Sequence, residues 1–578
     1  MDEVYGGRLV AEVMHEFGVG QLYTLCGGHI SPILLGADEL GIRVVDCRHE
    51  ASAVFAADAA ARLTGGFGVA AVTAGPGVTN AVTALENALI ARTPLVLLGG
   101  ATAGLLKGRG SLQDIDQMAI MEPLTKWARS VSCVRDIRPV MEKAFRVAGA
   151  GVPGPVFVEL PLDILYPESQ MRAMVLETLG AGKKKTLQSR AVETFARGYL
   201  YRKFHLPGPA RIPDLPLPVF PDLQDGGRRA AALIARAKKP VLVLGSGAVS
   251  MERDPDSLAT AVSGTGLPVW LSGMARGLLG ADHPRHLRHK RGQALREADL
   301  VLTVGVPFDF RMGYGRSIHP KATVISVGPD RDELTRNRRP QLTVVMPGAT
   351  FLRRLGKAME KPAIEAWLQE LRKREYEREA EIDAAAEEST DLINPVQFFR
   401  ELDRRLPDDA ILVADGGDFV ATASYILRPR RPLSWLDPGA YGTLGVGGGF
   451  ALGAAFCRPA SEVWLLWGDG SSAYSLAEFD TFVRHGLAPI AVVGNDASWQ
   501  QIARGQVEML GDPIGTVLNR TAYDEVAKGY GGAGLVLQDP ARIGATIDEA
   551  RSIARSGRPV LINVHLGKTG FRDGSVSV

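Results

Sequence analysis

The sequence predicts an α/β protein made of three doubly wound parallel-sheet domains, and two observations carry this prediction. Short apolar runs alternate with helical stretches along most of the chain, which is typical of βαβ units. Glycine makes up 66 of the 578 residues and falls at the ends of these runs, where strand-to-helix turns need it. The alternation forms three blocks of similar size, and the chain is long enough for three domains of ordinary size.

The first block, residues 1–168, is predicted to form one of these domains. Its predicted strands are 21–25, 44–47, 69–73, 95–99 and 156–160. Helical stretches at 51–64 and 79–90 lie between strands, as parallel connections require. Residues 169–225 then form a linker or an embellishment, with a predicted helix at 188–204. That helix could lie over an acyl-chain channel, lie on a membrane surface, or dock on the protein as a connector.

Two further blocks repeat the alternation. The second, residues 226–360, has predicted strands at 240–245, 298–305 and 323–327. A charged helical connector at 361–394 leads to the third block, residues 395–566, whose predicted strands are 411–414, 462–467, 490–493 and 559–564. The polar, glycine-rich tail at 567–578 could fray or close over a site as a lid.

Composition excludes several classes of protein. The chain has 66 basic and 64 acidic residues and a net charge of +2, so it has no global field that would recruit nucleic acid or an anionic membrane. Its four cysteines show no CxxC spacing, which indicates a reducing compartment and no structural zinc site. We find neither a secretory signal pattern nor an apolar run of the roughly 20 residues that a membrane helix needs. We therefore expect a cytoplasmic protein without a membrane span.

The third block carries a pair of polar motifs at two predicted strand ends. Gly468-Asp469-Gly470 follows one strand, Asn495 follows the next, and twenty-four residues separate Gly470 from Asn495. Carboxylate, amide and backbone carbonyl oxygens are the ligands that hard cations prefer, so we expect Mg²⁺ to be held by Asp469, Asn495 and the carbonyl of Ala497. The glycines and helix-start amides would favour a diphosphate. Alone, Gly-Asp-Gly could equally be a simple strand-to-turn connection.

A second motif lies in the first block, where Glu50 follows a predicted strand and opens an alanine-rich helix. A glutamate in this position is often only an electrostatic cap. With the metal pair in the same chain, the interpretation changes to thiamine diphosphate (ThDP) chemistry. The aminopyrimidine of ThDP needs a carboxylic acid on its N1′ atom before its own imino group can remove the proton from C2 of the thiazolium ring. We expect Glu50 to supply that carboxyl.

Three further stretches extend the argument to most of the chain. They are TAGPGVTN at 73–80, GVPGPVFVELP at 151–161 and GTLG at 442–445. Together with the two motifs above, they resemble the acetolactate synthase and pyruvate oxidase superfamily of ThDP enzymes. The resemblance implies that the three blocks are a pyrimidine-binding, a middle and a diphosphate-binding domain, in that order.

The resemblance also implies how the cofactor is bound. Leu444 would lie under it and force a bent conformation, although this residue could also be a core leucine, and the loop 414–419 would contact the diphosphate. The expected cofactor-binding residues are Glu50, Gly75, Asn80, Gly417, Asp418, Phe419, Gly442, Leu444, Gly468, Asp469, Gly470, Ser471, Asn495, Ala497 and Trp499. In the superfamily the pyrimidine domain of one subunit faces the diphosphate domain of another. A homodimer is then obligatory, and a homotetramer is expected.

Within the superfamily, four stretches look most like the acetolactate-synthase-like 2-hydroxyacyl-CoA lyases. These are CGGHISP at 26–32, VVDCRHE at 44–50, DFR and YGR within 309–316, and GNDASW at 494–499. The resemblance implies cleavage of a 2-hydroxyacyl-CoA into an aldehyde or ketone and formyl-CoA, together with the reverse acyloin condensation.

Besides Glu50, the resemblance suggests two catalytic candidates. His29 lies in a glycine turn and could take the proton of the substrate's 2-hydroxyl, or it could merely cap a helix. Gln113 lies in a loop that faces the reactive carbon in relatives, and it would position substrate rather than carry a proton. Basic residues at 285–291, with Arg311 and Arg316, could contact CoA phosphates or form a solvated face.

Three other functions stay open. The first is acetolactate synthase, which joins two 2-oxoacids. The second is a non-catalytic ThDP-binding scaffold, against which the intact Glu50 and metal pair argue. The third is oxalyl-CoA decarboxylase, which has a Tyr-Glu pair where this chain has Leu112-Gln113. The middle domain could also bind ADP or FAD through Gly245-Ser246-Gly247, a weak motif by itself.

Overall fold

A computed structural model describes residues 5–179, 187–206, 220–222, 225–360 and 362–574, without the side chains of residues 187–189. The lysine run at 183–185, most of the proline-rich stretch at 207–221 and the last four residues of the tail therefore lie outside the described residues. The chain divides into two compact units, residues 1–61 with 66–217 and residues 62–65 with 218–578.

The first unit contains one six-stranded sheet whose strand pairs are all parallel. Its strands are β1 (Gln21–Thr24), β2 (Arg43–Asp46), β3 (Gly68–Val72), β4 (Leu95–Ala101), β5 (Trp127–Ser130) and β6 (Val156–Pro161). Its helices are α1 (Gly6–Glu16), α2 (Ser31–Glu39), α3 (Glu50–Thr64), α4 (Pro76–Asn80), α5 (Val82–Ala91), α6 (Gln117–Met121), α7 (Val134–Gly149), α8 (Glu168–Thr178) and α9 (Leu187–Phe204).

The strand order β2, β1, β3, β4, β6, β5 places the direction change of this sheet between β1 and β3. Ligands of doubly wound sheets bind at such a switch point, beyond the carboxyl ends of the strands. Helices pack on the sheet through one cluster of buried apolar side chains, whose members come from between Val10 and Leu165. Helix α9 confirms the helix predicted at 188–204, and it docks on α8.

The second unit contains two more parallel sheets of six strands each. The strands of the first are β7 (Pro240–Leu244), β8 (Val269–Leu271), β9 (His286–Leu287), β10 (Leu300–Val304), β11 (Thr323–Gly328) and β12 (Leu342–Val345). The strands of the second are β13 (Ile411–Ala414), β14 (Trp435–Leu436), β15 (Val463–Gly468), β16 (Ile490–Asn495), β17 (Ala533–Leu537) and β18 (Val560–His565). The fold class expected from the sequence, three doubly wound parallel sheets, is confirmed.

In the described part of the chain, fifteen further α-helices cover these two sheets. They are α10 (Gly226–Ile234), α11 (Ser246–Val249), α12 (Pro255–Gly264), α13 (Arg291–Glu297), α14 (Arg331–Thr335), α15 (Gly348–Ala358), α16 (Glu365–Glu387), α17 (Pro395–Arg405), α18 (Asp418–Ile426), α19 (Val446–Cys457), α20 (Asp469–Ser472), α21 (Glu478–Arg484), α22 (Gln500–Leu510), α23 (Tyr523–Gly529) and α24 (Ile543–Arg555). Among the described residues, none of the helices combines the length and apolar character that crossing a bilayer requires.

Each sheet of the second unit also has a switch point. In the order β12, β11, β10, β7, β8, β9 it lies between β7 and β10, and in the order β14, β13, β15, β16, β18, β17 it lies between β13 and β15. The loop after β13 and the Gly-Asp-Gly turn after β15 therefore meet at the edge where a ligand is expected. The charged helix predicted at 361–388 is α16, and it buries Trp367, Leu368, Leu371 and Ile382 along one face.

Candidate active site

The switch point of the first unit brings together two tight turns. The turn after β1 carries His29 and the turn after β3 carries Thr73, and the Nδ1 atom of His29 lies 3.3 Å from the Thr73 hydroxyl. The turns approach so closely that a Cβ atom on Gly27 would lie 2.4 Å from the Cβ of Thr73. Burial lowers the pKa of His29 below its usual value, so the imidazole is neutral at physiological pH.

Glu50 is the first residue of α3 and lies at the carboxyl end of β2, next to β1. Only 5% of the residue is exposed, and its Oε2 atom accepts a hydrogen bond of 3.0 Å from Nδ2 of Asn80. The other oxygen, Oε1, faces Gly77, where an added Cβ atom would lie at 3.5 Å. The predicted cofactor residues Glu50 and Asn80 are therefore in direct contact.

Gln113 lies against the turn after β3, which carries Gly75. Gly75 has a φ of +60°, and a Cβ atom there would lie 2.6 Å from the carbonyl oxygen of Gln113. The backbone amide of Gly75 donates to Oε1 of the buried Gln117, whose Nε2 donates to the carbonyl of Gly100. A Cβ atom on Gly100 would lie 2.6 Å from the Cβ of His29. Contacts thus link all predicted site residues of the first unit.

In the second unit, Asp469 and Asn495 lie side by side at the ends of neighbouring parallel strands. Gly468 pairs with Gly494 in the register of β15 and β16, which places the next residues, Asp469 and Asn495, at adjacent positions. Asp469 is buried, and its carboxylate accepts backbone hydrogen bonds from Gly470 at 2.8 Å and from Ser498 at 3.2 Å. Burial raises the pKa of this carboxyl.

Asn495 carries the clearest mark of a metal site. Its Nδ2 donates to the carbonyl of Thr521 and to Oδ1 of Asn563, both at 3.1 Å, and this fixes the orientation of the amide. Its Oδ1 atom is buried and has no hydrogen-bond partner among the described residues. Because buried polar atoms are almost always paired, an unpartnered amide oxygen beside a buried carboxylate fits a hard cation.

The remaining predicted residues of this unit, apart from Gly442, lie in the turns around this pair. Gly442 has a φ of +67°, and a Cβ atom there would meet nothing within 4 Å. Ser471 Oγ donates to the carbonyl of Gly416, and Gly417, with a φ of +108°, precedes α18. Close packing joins the rest, because Cβ atoms on Gly416, Gly470 and Gly494 would lie 2.3, 2.5 and 2.3 Å from Leu444, Trp499 and Phe419, respectively. Ala497 has a φ of +59°, and its carbonyl accepts from the amide of Leu518 at 2.8 Å. A carbonyl oxygen has a second lone pair that a cation could use.

Comparisons with known proteins match this arrangement over nearly the whole chain. The models of the thiamine pyrophosphate enzyme N-terminal TPP-binding domain, central domain and C-terminal TPP-binding domain match residues 4–120, 228–355 and 415–564. The 2-hydroxyacyl-CoA lyase 2 of Danio rerio is 47% identical to 99% of this chain, across 93% of its own length. The chain belongs to the thiamine pyrophosphate enzyme family.

Other relatives of this thiamine pyrophosphate enzyme fall into two groups. The 2-hydroxyacyl-CoA lyase 2 of Homo sapiens is 45% identical over 99% of this chain and 92% of its own length. A probable acetolactate synthase of Mycobacterium bovis is 32% identical over 97% of this chain and 95% of its own length. The resemblance to the acetolactate-synthase-like 2-hydroxyacyl-CoA lyases that the sequence motifs predicted is confirmed.

The sequence predicts Asp415 only as one residue of the loop 414–419, and in the structure it is buried at the end of β13. Its carboxylate accepts hydrogen bonds from the amides of Gly445 at 2.9 Å and Gly447 at 2.7 Å, and from the indole of Trp467 at 3.1 Å. Burial raises its pKa to about 7. Asp415 thereby ties the end of β13 to the turn that carries Leu444. A lone carboxylate directly after four apolar residues was the available signal.

A second acid without an expected role is Asp496, which lies between Asn495 and Ala497, two of the three expected metal ligands. Its Oδ1 is buried without a hydrogen-bond partner among the described residues, and its pKa is raised to about 7 by burial and by the nearby Asp469 and Asp418. Asp418 itself pairs with Arg504 at 2.8 Å. A bound cation would offset the repulsion among these carboxylates.

The basic residues suggested for CoA phosphates are engaged within the protein. Arg288 pairs with Glu379, and Arg311 pairs with Asp309. Arg291 donates to the carbonyl of Arg311 at 2.7 Å. Phosphate binding by these three arginines would therefore have to displace existing contacts.

Proposed function

We propose that this chain is a ThDP- and Mg²⁺-dependent carbon–carbon lyase that cleaves a 2-hydroxyacyl-CoA into an aldehyde or ketone and formyl-CoA, and that also catalyses the reverse acyloin condensation. The observation that carries the substrate class is the 45–47% identity, over 99% of the chain, with several proteins named 2-hydroxyacyl-CoA lyase 2. In the net reaction the bond between C1 and C2 breaks. The 2-hydroxyl loses its proton to become the carbonyl of the aldehyde or ketone, and C1 gains a proton to become the formyl carbon.

Asp469, Asn495 and the carbonyl of Ala497 would hold Mg²⁺. The unpartnered Oδ1 of Asn495 and the buried carboxylate of Asp469 support this assignment. The turns at Gly417 and at Gly468–Ser471 would receive the diphosphate, since backbone amides at helix starts favour anions. Once bound, ThDP supplies a nucleophilic carbon and an electron sink, which no amino-acid side chain provides.

Glu50 would hold the pyrimidine ring through its carboxyl. The hydrogen bond from Asn80 leaves Oε2 oriented and directs Oε1 toward Gly77, where the lack of a side chain gives the ring room. This arrangement supports the role of Glu50 in activating the cofactor, and Asn80 would orient it.

His29 would accept the proton of the substrate's 2-hydroxyl. Its imidazole is neutral at physiological pH, and Thr73 engages Nδ1, so Nε2 would be the nitrogen that meets the substrate. Gln113 has no group that titrates and would position the thioester or the hydroxyl by hydrogen bonding. His29 belongs to the turn after β1 at the switch point of the first sheet, and Gln113, in the loop after β4, lies against Gly75 of the turn after β3, which supports these roles.

The assembly and the remaining ligands belong to the same proposal. We infer a homodimer that completes each site with residues of two subunits, arranged as a homotetramer in a reducing compartment such as the cytoplasm, where its four cysteines would stay as thiols. ADP or FAD could bind the middle sheet at its own switch point. There the Gly245-Ser246-Gly247 turn packs against Gly305, and a Cβ atom on Gly305 would lie 2.2 Å from the amide of Ala248.

The similarity to the probable acetolactate synthase of Mycobacterium bovis supports acetolactate synthesis as the alternative function. One assay separates the two functions. Purified protein with ThDP and Mg²⁺ is given a 2-hydroxyacyl-CoA, formyl-CoA with an aldehyde, or pyruvate alone. We expect formyl-CoA and aldehyde from the first and 2-hydroxyacyl-CoA from the second. Acetolactate from pyruvate without any CoA-ester turnover would refute the lyase assignment, and loss of all turnover with retained ThDP binding would favour a scaffold.

A further inference from the structure

Two helices of the first unit support the turns that carry the substrate-side candidates. Helices α8 and α9 pack through a small core of Met171, Val175, Ala196 and Leu200, which we call the α8–α9 layer. His205, just beyond α9, reaches Glu168 at the start of α8 at 3.1 Å. The layer is therefore fastened at the far end of α9 as well as along its length.

A buried acid joins this layer to the loop that carries Gln113. Asp163 follows β6 in the 3-10 turn Leu162–Ile164, and the residue is 0% exposed. Its Oδ2 atom accepts from the backbone amide of Gly104 at 3.0 Å and from the hydroxyl of Tyr199, and it lies 3.3 Å from Nζ of Lys203. Gly104 opens the loop after β4, whereas Tyr199 and Lys203 project from consecutive turns of α9.

The loop at residues 102–116, which we call the substrate loop, has few other anchors near its start. Leu105 packs against the α8–α9 layer, and Lys107 pairs with Glu159 at 3.1 Å. At its far end, Gln117 is fixed between Gly75 and Gly100. Between these anchors the loop is largely exposed, with Leu112 at 81%, and Gln113 takes a left-handed φ of +63°.

The same layer also supports the turn that carries His29. Tyr166 packs against the small core of the layer, and its hydroxyl donates to the carbonyl of Gly28 at 2.9 Å. The two loops that would face the substrate thus rest on one pair of helices. A shift of these two helices would therefore move both loops together.

We propose that Tyr199 and Lys203 are positioning residues that act through Asp163 to fix the substrate loop, and with it Gln113, over the reacting end of the substrate. The consequence for substrate rests on the proposed function, whereas the fixing of the loop does not. Ordering a glycine-rich surface loop opposes its conformational entropy, about 1–2 kcal/mol per residue. A buried carboxylate shared by three donors holds the loop start in one place, because each donor it lost would leave buried charge unsatisfied.

The experiment compares Tyr199→Phe with wild type by three measurements. We expect kcat/KM for a 2-hydroxyacyl-CoA to fall roughly tenfold, because a hydrogen bond to a charged group is lost. The ThDP concentration for half-saturation should stay within about twofold, since the cofactor contacts are untouched. Trypsin should cut after Lys107 and Arg109 of the folded protein several-fold faster, because proteolysis follows local opening.

Two further variants complete the design. Tyr201→Phe removes a hydroxyl from the same helix at a residue that is 56% exposed, and it should change none of the three measurements. Lys203→Ala should reproduce the Tyr199→Phe pattern. Lys203→Arg should behave nearly like wild type, because it retains a cation that can reach Asp163.

Unchanged turnover and unchanged cleavage at Lys107 and Arg109 in both Tyr199→Phe and Lys203→Ala would overturn the proposal. Equal effects from Tyr201→Phe would overturn it as well, since they would indicate a general loosening of α9. If wild type turned over no 2-hydroxyacyl-CoA, the proposed function would fail. The trypsin measurement would still decide whether Asp163 and its two partners on α9 hold the loop.

Discussion

Asn80 donates a hydrogen bond from Nδ2 to Oε2 of Glu50 across 3.0 Å. The two residues come from helices that follow different strands of the first sheet, since Asn80 ends α4 after β3 and Glu50 begins α3 after β2. A carboxyl that must present one oxygen to a pyrimidine ring benefits from having its other oxygen fixed. The contact gives Asn80 a task that its sequence motif alone did not define.

We expect Asn80→Ala to lower kcat roughly tenfold, because the Glu50 carboxyl loses the donor that orients it. The loss should appear in kcat more than in the Michaelis constant for the CoA ester, since no substrate contact is removed. Thr79→Ala is the matched control, because Thr79 is exposed and its hydroxyl donates to the carbonyl of Pro76 in its own turn. Equal losses in both variants would show that α4, rather than the hydrogen bond, is responsible.

Glu50→Gln should lower turnover by about two or more orders of magnitude while leaving the fold intact, because an amide cannot supply the proton-sharing carboxyl that the cofactor needs. Initial rates, with thermal unfolding as the check on folding, measure this. Glu50→Gln combined with Asn80→Ala should be no worse than Glu50→Gln alone, since Asn80 acts through Glu50. Near-normal turnover in Glu50→Gln would remove the assigned role.

Asn495→Ala tests the metal site. We expect the Mg²⁺ concentration for half-maximal activity to rise by about tenfold or more, because one of three protein ligands is lost. In wild type, Mg²⁺ with ThDP should raise the unfolding temperature by preferential binding to the folded state. In the variant that rise should be small. A variant that kept both the wild-type Mg²⁺ response and the thermal shift would refute Asn495 as a ligand.

Apart from β2, an edge strand that was predicted at 44–47, the strands that the sequence predicted are central ones, and the missed strands lie at or near sheet edges. Every residue of β4 is buried, so the strand is a continuous apolar run that sequence patterning detects. By contrast, all four residues of β5 are only half-buried, and β17 has mixed burial. Edge strands of two residues, such as β9 and β14, carry too few side chains for any periodicity.

For the candidate site, the local sequence marks residues in recognisable turns, whereas residues that act through long-range contacts carry no local signal. Asp469 stands at a strand end between two glycines, and Glu50 opens a helix shortly after a strand, so the local sequence marks both as candidates. The hydrogen bonds of Asp163 to Gly104 and Tyr199 link residues 59 and 36 positions away, and no local pattern encodes them. Asn563, which orients Asn495, lies 68 positions from it inside an ordinary apolar strand.

The buried carboxyl of Asp415 makes stability depend on pH in a predictable direction. Burial raises its pKa in the folded state from 3.8 to about 7. Between about pH 4 and pH 7 the folded protein therefore keeps a proton that the unfolded chain releases, so its contribution to stability is greatest below pH 4 and is lost as pH rises through 7. The three N–H donors oppose this shift, so about 4 kcal/mol is an upper bound.

Asp415→Asn should abolish this dependence, because the amide does not titrate. It should also destabilise the protein by about 1–3 kcal/mol at low pH, since the amide nitrogen replaces an oxygen that accepts from Gly445 or from Gly447 and Trp467. The measurement is the difference in unfolding free energy between wild type and variant at pH 4, 5.5, 7 and 8 by denaturant titration. We expect the difference in unfolding free energy that favours wild type to shrink from pH 4 to about pH 7 and to stay constant above pH 7. A difference that stayed constant, or grew, between pH 4 and 7 would mean that the three N–H donors keep Asp415 ionised despite its burial.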